Sequence, residues 1–319
     1  MKKLLCALLL AAVLPAAAQE RFPSRPVRFV VPWPPGGTVD VVMRLMSPKL
    51  SELLGQSVVI ENRAGASGMI GTDLVAKSPK DGHTIAVASA THVVTPLLPG
   101  AAVPFDPFKD FDSVILIGKS ANVLSVPAGF PVNSVRELIA YAKQRPGKLS
   151  LGHAGNGTAN HLTAEMFLRR AAIDVTLIPY KGGGPVMTDL IGGQIQLGFN
   201  QISTVLPHIR SGKVKPIGIA AAKRSTVLPN VETIEEAGFP DFTAHDWYAF
   251  VVPAGTPREA IARLAADSEK VLADPTIRGR LMDLGAEIEG GGPQRLDEFL
   301  RAESAKWGAV IKATGATGS

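Results

Sequence analysis

The 319-residue sequence has a single cysteine, three tryptophans and three tyrosines. Cys6 sits in an apolar stretch at the extreme N-terminus, so the rest of the chain offers neither disulfides nor thiol chemistry. No Gly-Lys-[Ser/Thr] stands in Walker spacing, and Gly155-Asn156-Gly157 stops short of Gly-x-Gly-x-x-Gly because position 160 is asparagine. Both absences argue against a nucleotide. The six histidines (His83, His92, His153, His161, His208, His245) never fall at His-x-x-x-His spacing and have no cysteine partners, so no zinc site is expected. There is no Gly-x-Ser-x-Gly elbow, no low-complexity segment and no repeat of solenoid period. Charges are dispersed without a basic run, which gives no footprint for nucleic acid.

Residues 1–18 read as a targeting segment rather than as fold. Lys2-Lys3 form a basic start, Leu4–Leu14 an apolar run too short to cross a bilayer comfortably, and Ala16-Ala17-Ala18 a small-residue cleavage site. The alternative is a buried N-terminal helix. Cys6 has no small residue before it, which disfavours a lipid anchor. Cleavage leaves about 300 residues, enough for two domains with cores of their own. It also leaves 31 Lys and Arg against 28 Asp and Glu, a mildly basic chain starting at Gln19.

Val27 to Asp40 is the stretch around which the rest is organised. Phe29–Val31 reads as a buried strand that the prolines at 32, 34 and 35 end. Gly36-Gly37 allows a tight turn near a ligand, and Thr38 reads as the N-cap of an apolar-periodic helix through Val39, Val42, Met43, Met46 and Leu50. Strand, glycine loop and helix N-terminus together aim free N–H groups and a positive dipole end at one point, an anion site in outline. The design recurs at Lys148–His161, where a strand enters Gly152–Gly157 and Thr158 opens a helix. Two such sites, one per half, imply two lobes gripping an anion.

Between them, strands at Ser57–Glu61 and Thr84–Ala88 alternate with a helix at Ile70–Lys77, the pattern of a parallel sheet wrapped by helices. Val114–Ile117 and Val123–Val126 read as two extended runs, and Ser134–Glu137 as a capping box. The second half alternates likewise, through strands near Val175–Ile178, Gln196–Phe199, Pro216–Ala221 and Trp247–Val252. Thr233–Glu236 reads as a short capped helix and Thr256–Glu259 as a second capping box, opening a helix to Ala273. Helices from Pro275 and Pro293 flank a strand at Ala286–Glu289.

Several segments in this order resemble the substrate-binding proteins of tripartite tricarboxylate transporters, the Bug family. They include Phe22–Arg28, Pro35-Gly36-Gly37 with Asp40, Leu54–Arg63, Pro179–Gly182, Asp189–Gln194, Glu236-Ala237-Gly238 and Pro253–Pro257, and the match runs from Pro23 nearly to the C-terminus. The resemblance implies a two-lobed α/β periplasmic binding protein of the Venus flytrap type, each lobe a mostly parallel sheet flanked by helices. It implies residues 19–120 and 246–319 in one lobe and 121–245 in the other, with chain crossings near Ser120 and Asp246. It further implies a non-enzymatic, monomeric protein without metal or cofactor, serving membrane transporter subunits. Its ligand would be a small mono- or dicarboxylate, including aromatic or amino acids. Carried onto this sequence, the ligand-facing set is Trp33, Gly37, Thr38, Ser89, Ala90, Thr91, Gly155, Asn156, Gly157, Thr158 and Asn200. His161 joins it, as a bond to either the ligand or the loop backbone. Trp33 and Trp247 either wall an aromatic ligand or pack the hinge, and Asp246 is either an ammonium acceptor or a solvated hinge carboxylate. Pro48 interrupts the first helix. Alternatives to transport are a binding protein that informs a membrane sensor, or a periplasmic enzyme on the same architecture.

Overall fold

A computed structural model describes residues 22–318; the segment 1–18 read as a signal peptide lies outside them. The N-terminal part gives β1 (Val27–Val31), α1 (Thr38–Leu54), β2 (Val58–Asn62), α2 (Met69–Ala76), β3 (Thr84–Ala88) and one turn of helix, α3 (Thr91–Val94). β1 lies between β2 and β3 and pairs in parallel with both. Its residues are almost wholly buried, which explains an apolar run without alternation. Pro48 does not end α1, which continues through it to Leu54.

The two extended runs at 114–117 and 123–126 form one strand, β4 (Phe111–Pro127). The polar residues between them conceal the continuity, yet the strand is paired along its length. A second alternating series follows: α4 (Val135–Lys143), β5 (Ser150–His153), α5 (Ala159–Ala171), β6 (Thr176–Pro179), α6 (Gly183–Ile191), β7 (Leu197–Gln201), α7 (Ile202–Arg210) and β8 (Val214–Ile219). The chain returns through β9 (His245–Pro253) and ends with α8 (Arg258–Ala273), α9 (Pro275–Asp283), β10 (Ala286–Ile288) and α10 (Pro293–Thr314).

β4 belongs to two sheets. From Phe111 to Ala121 it pairs antiparallel with β9, in a sheet ordered β2-β1-β3-β9-β4 with β10 added to β4. From Asn122 onward it pairs with β7 and β8, in a sheet that continues through β5 to β6. Each sheet thus keeps a parallel three-strand unit, β2-β1-β3 or β6-β5-β7, joined to the shared strand by antiparallel pairing. Gly118 is where β10 comes closest: a Cβ there would stand 2.5 Å from the Glu287 carbonyl oxygen.

One core lies beneath α1, α8 and α9 and includes Phe29, Met43, Met46, Leu50, Tyr248 and Phe250. A second runs from the first sheet into the other lobe through Trp247, Trp307, Phe167, Phe199 and Phe242. Trp247 is fully buried, packs edge-on against Phe299, and donates its indole N–H to Glu303, as does Trp307. It therefore packs beneath the crossing rather than walling a ligand.

Local signals met three outcomes. Ser134 caps α4 as expected, its Oγ accepting from Glu137 N. Thr233 and Glu236 exchange the two bonds of a capping box, but the segment closes as a turn and not a helix. The box at Thr256–Glu259 does not form. Thr256 donates its hydroxyl to Pro253 O, and Pro257 takes the N-cap position of α8 without a side-chain bond.

Candidate functional site

Between the two sheets lies a cavity of about 550 Å³. The N-termini of four helices open on it, α1 from one lobe and α5, α6 and α7 from the other. Each carries the equivalent of roughly half a positive charge and several N–H groups without a helical acceptor.

At α1 the N-cap is Gly37 and not Thr38, and no side chain satisfies the helix end. Thr38 instead enters the first turn, its hydroxyl 2.7 Å from Ser203 Oγ and 3.1 Å from Thr204 Oγ1 of the opposite lobe. The preceding glycine loop is fastened by Asp40, whose buried carboxylate accepts from Gly36 N, Arg44 Nε and Asn62 Nδ2. Burial pushes this carboxyl up, but the Arg44, Gly36 and Asn62 bonds outweigh it and hold it below the usual carboxylate range.

Thr158 is the N-cap of α5, accepting from His161 N at 3.2 Å. It also donates to Gly155 O at 2.6 Å. Its single hydroxyl proton is therefore committed to the loop, and the donors that α5 offers the cavity are backbone N–H groups. The N-caps of α6 and α7, Gly182 and Gln201, make no capping bond through a side chain, leaving both ends open. Gly182 has φ of 107°, a conformation that favours glycine.

Of the residues expected to face a ligand, Trp33, Gly37, Thr38, Thr91, Thr158 and Asn200 line the cavity. The other six stand behind it. Ser89 Oγ receives the Trp33 indole N–H at 3.3 Å and meets Thr91 Oγ1 at the same distance. Ala90 N donates to Asp246, and Gly155 O receives Thr158. Asn156 O accepts from Ser67 Oγ at 2.9 Å, a second bond between lobes. Gly157 N donates to His161 Nδ1, so of the two roles considered for His161 it fills the loop-backbone one. That ring is buried, stacked on His153 at 4.5 Å, with Nε2 3.6 Å from Glu165.

Lining residues that the sequence did not single out as ligand-facing include Asn160, Lys181, Gly183, Gln201, Ser203 and Thr204. Lys181 stands exposed at the rim and makes no hydrogen bond or ion pair among the described residues. Asn200 is 1 % exposed, and neither its Oδ1 nor its Nδ2 has a hydrogen-bond partner among them.

Asp246 also lines the cavity, and is buried rather than solvated. Oδ1 accepts from Ala90 N and Trp247 N, and Oδ2 from Gln201 Nε2. Gln201 in turn receives the Tyr248 hydroxyl at 3.1 Å. Burial pushes the Asp246 carboxyl up to about 6, against the lowering effect of those bonds, with the Glu303 charge adding to the rise. Among the described residues no group of three His, Cys, Asp or Glu side chains is placed to hold a metal ion.

Two mixed α/β lobes around a cleft, joined through β4, which runs through both sheets, define the class of periplasmic binding proteins. The chain belongs to the tripartite tricarboxylate transporter receptor family, whose model matches residues 42–316. R. palustris Rpa4515, in a structure with adipate, is 37 % identical with a TM-score of 0.90, over 93 % of this chain and 99 % of that one. The periplasmic binding protein BugD is 33 % identical with a TM-score of 0.88, over 93 % and 99 %. MatC from Rhodopseudomonas palustris, with bound malate, is 34 % identical with a TM-score of 0.85, over 91 % and 100 %. Family and neighbours are binding proteins rather than enzymes, and the ligands named for Rpa4515 and MatC are carboxylates.

Proposed function

We propose that this chain is a periplasmic solute-binding protein that captures a small organic carboxylate between its lobes and delivers it to a tripartite tricarboxylate-type membrane transporter. The observation that carries this reading is the convergence of four helix N-termini, from both lobes, on one cavity whose only Lys or Arg among the described residues is Lys181 at the rim. Oriented N–H dipoles stabilise an anion without burying a counter-charge, and so without the desolvation cost of a buried ion pair. The bound malate of MatC and the adipate of Rpa4515 support this class of solute.

In this reading residues 1–18 are removed on export, 19–120 and 246–319 form one lobe, and 121–245 form the other. The working form is a monomer that opens and closes about β4 and β9. Neither lobe alone satisfies a carboxylate stripped of water, so the ligand favours the closed state by its extra affinity for it. The family and its solved neighbours, binding proteins rather than enzymes, favour this reading over a periplasmic enzyme.

A thermal-shift screen of mono- and dicarboxylates against their amides and esters tests the reading. At about 100 times Kd a true ligand stabilises the fold by roughly 2.7 kcal/mol. Stabilisation by carboxylates and not by their neutral derivatives is expected. A screen without a carboxylate hit, or turnover of an ester, contradicts it.

A further inference from the structure

Asn200 stands at the end of β7 with its amide over bare backbone. A Cβ on Gly183 would lie 3.1 Å from its Oδ1, and one on Gly198 would lie 3.2 Å from its Nδ2. The side chain is 1 % exposed and lines the cavity, yet among the described residues both amide atoms lack a partner. Whichever way the amide is turned, its oxygen calls for a donor and its nitrogen for an acceptor. A buried unpaired donor or acceptor is costly, and native interiors rarely leave one unmet. Asn200 therefore asks its occupant for two things, an acceptor for Nδ2 and a donor for Oδ1. A carboxylate accepts only. It answers Nδ2 and the helix N-termini but leaves Oδ1 unmet.

A second acceptor faces the same cavity. Asp246 is held by two backbone N–H groups and Gln201, and among the described residues no Lys or Arg is bonded to it. We infer that the ligand is a carboxylate bearing a hydrogen-bond donor, a hydroxyl or an ammonium, near the carboxyl group, and that Asn200 selects it over the unsubstituted acid. This rests on the carboxylate-binding reading and narrows its substrate class to hydroxy and amino acids. Asn200 is the specificity-determining residue, and Asp246 supports the donor end of the ligand.

The test compares matched series by calorimetric titration: succinate, malate and aspartate; glutarate, 2-hydroxyglutarate and glutamate; propionate, lactate and alanine. In the series that binds, a hydroxy or amino member should bind at least about tenfold more tightly than its plain counterpart. Asn200→Leu, which keeps the branch at Cγ and removes both polar atoms, should bring that ratio to within about twofold by weakening the substituted ligand alone. Asn200→Ala, which removes both polar atoms and adds no bulk, should do the same, and a substituted-to-plain ratio unchanged in both variants overturns the inference. Equal affinity for plain and substituted acids also overturns it while leaving carboxylate binding intact. Binding by none of the nine removes the carboxylate reading, and the inference with it.

Discussion

Replacing Asp246 by asparagine should stabilise the ligand-free protein at neutral pH and not in acid. The folded carboxyl is pushed up to about 6 by burial, from 3.8 when unfolded. Below the lower value the group is protonated in both states and contributes nothing to the pH dependence. As pH rises through the window from 3.8 to 6, the unfolded chain ionises first, and folding becomes less favourable by about 3 kcal/mol. The asparagine side chain would still accept from Ala90 N and Trp247 N, and Gln201 can turn its amide to meet it. The buried charge alone is removed.

The wild-type curve will not show this directly. His92, His153 and His245 are lowered to about 4 by burial, so their contributions are present above 6.5 and lost as pH falls toward 4, the opposite trend. Those groups are common to both proteins and cancel in the difference. Urea unfolding of each at about pH 3 and pH 7.5 should therefore give a variant-minus-parent stability about 3 kcal/mol larger at the higher pH. In a melting experiment this is about 6 °C for a chain of this size. A difference that is the same at both pH values would mean Asp246 ionises normally in the fold, and would refute the reasoning.

Thr158→Val should cost about 1–2 kcal/mol of stability, because His161 N loses its acceptor and Gly155 O one of its two donors, whereas Thr158→Ser should stay close to the parent. Paired melting curves check this; retained ligand affinity in the serine variant is also expected, since its hydroxyl serves the loop. Lys181→Ala should slow association a few-fold and flatten its salt dependence with little change in dissociation, as an exposed rim charge steers more than it holds. Stopped-flow binding at two ionic strengths reads both rates, and an effect confined to dissociation would contradict it.

The two glycine loops were legible because their signals are local. Gly36-Gly37 and Gly155–Gly157 each break a strand and open a helix, and Thr158 caps in the way its neighbours dictate. Thr38 has the same local signature, but a tertiary contact with Ser203 and Thr204 draws it into the first turn and leaves the cap to Gly37. The N-termini of α6 and α7 gave no capping signal, since neither Gly182 nor Gln201 caps through its side chain. Only the sheet order, which sets β7 between β4 and β5, brings them to the cavity. Asp246 shows the same limit. Its burial comes from residues 45 and 156 positions away, Gln201 and Ala90, and no local pattern announces it. The family resemblance reached further than the local signals because order and spacing of many weak pieces encode the tertiary arrangement, and the match over residues 42–316 agrees with it.

A crystal structure with the tightest-binding carboxylate tests the central claim most directly. The account predicts carboxylate oxygens within about 3.2 Å of backbone N–H groups at helix N-termini from both lobes, with α1 on one side and α5, α6 or α7 on the other. A carboxylate held by Lys181 alone, by one lobe only, or outside the cavity would contradict it.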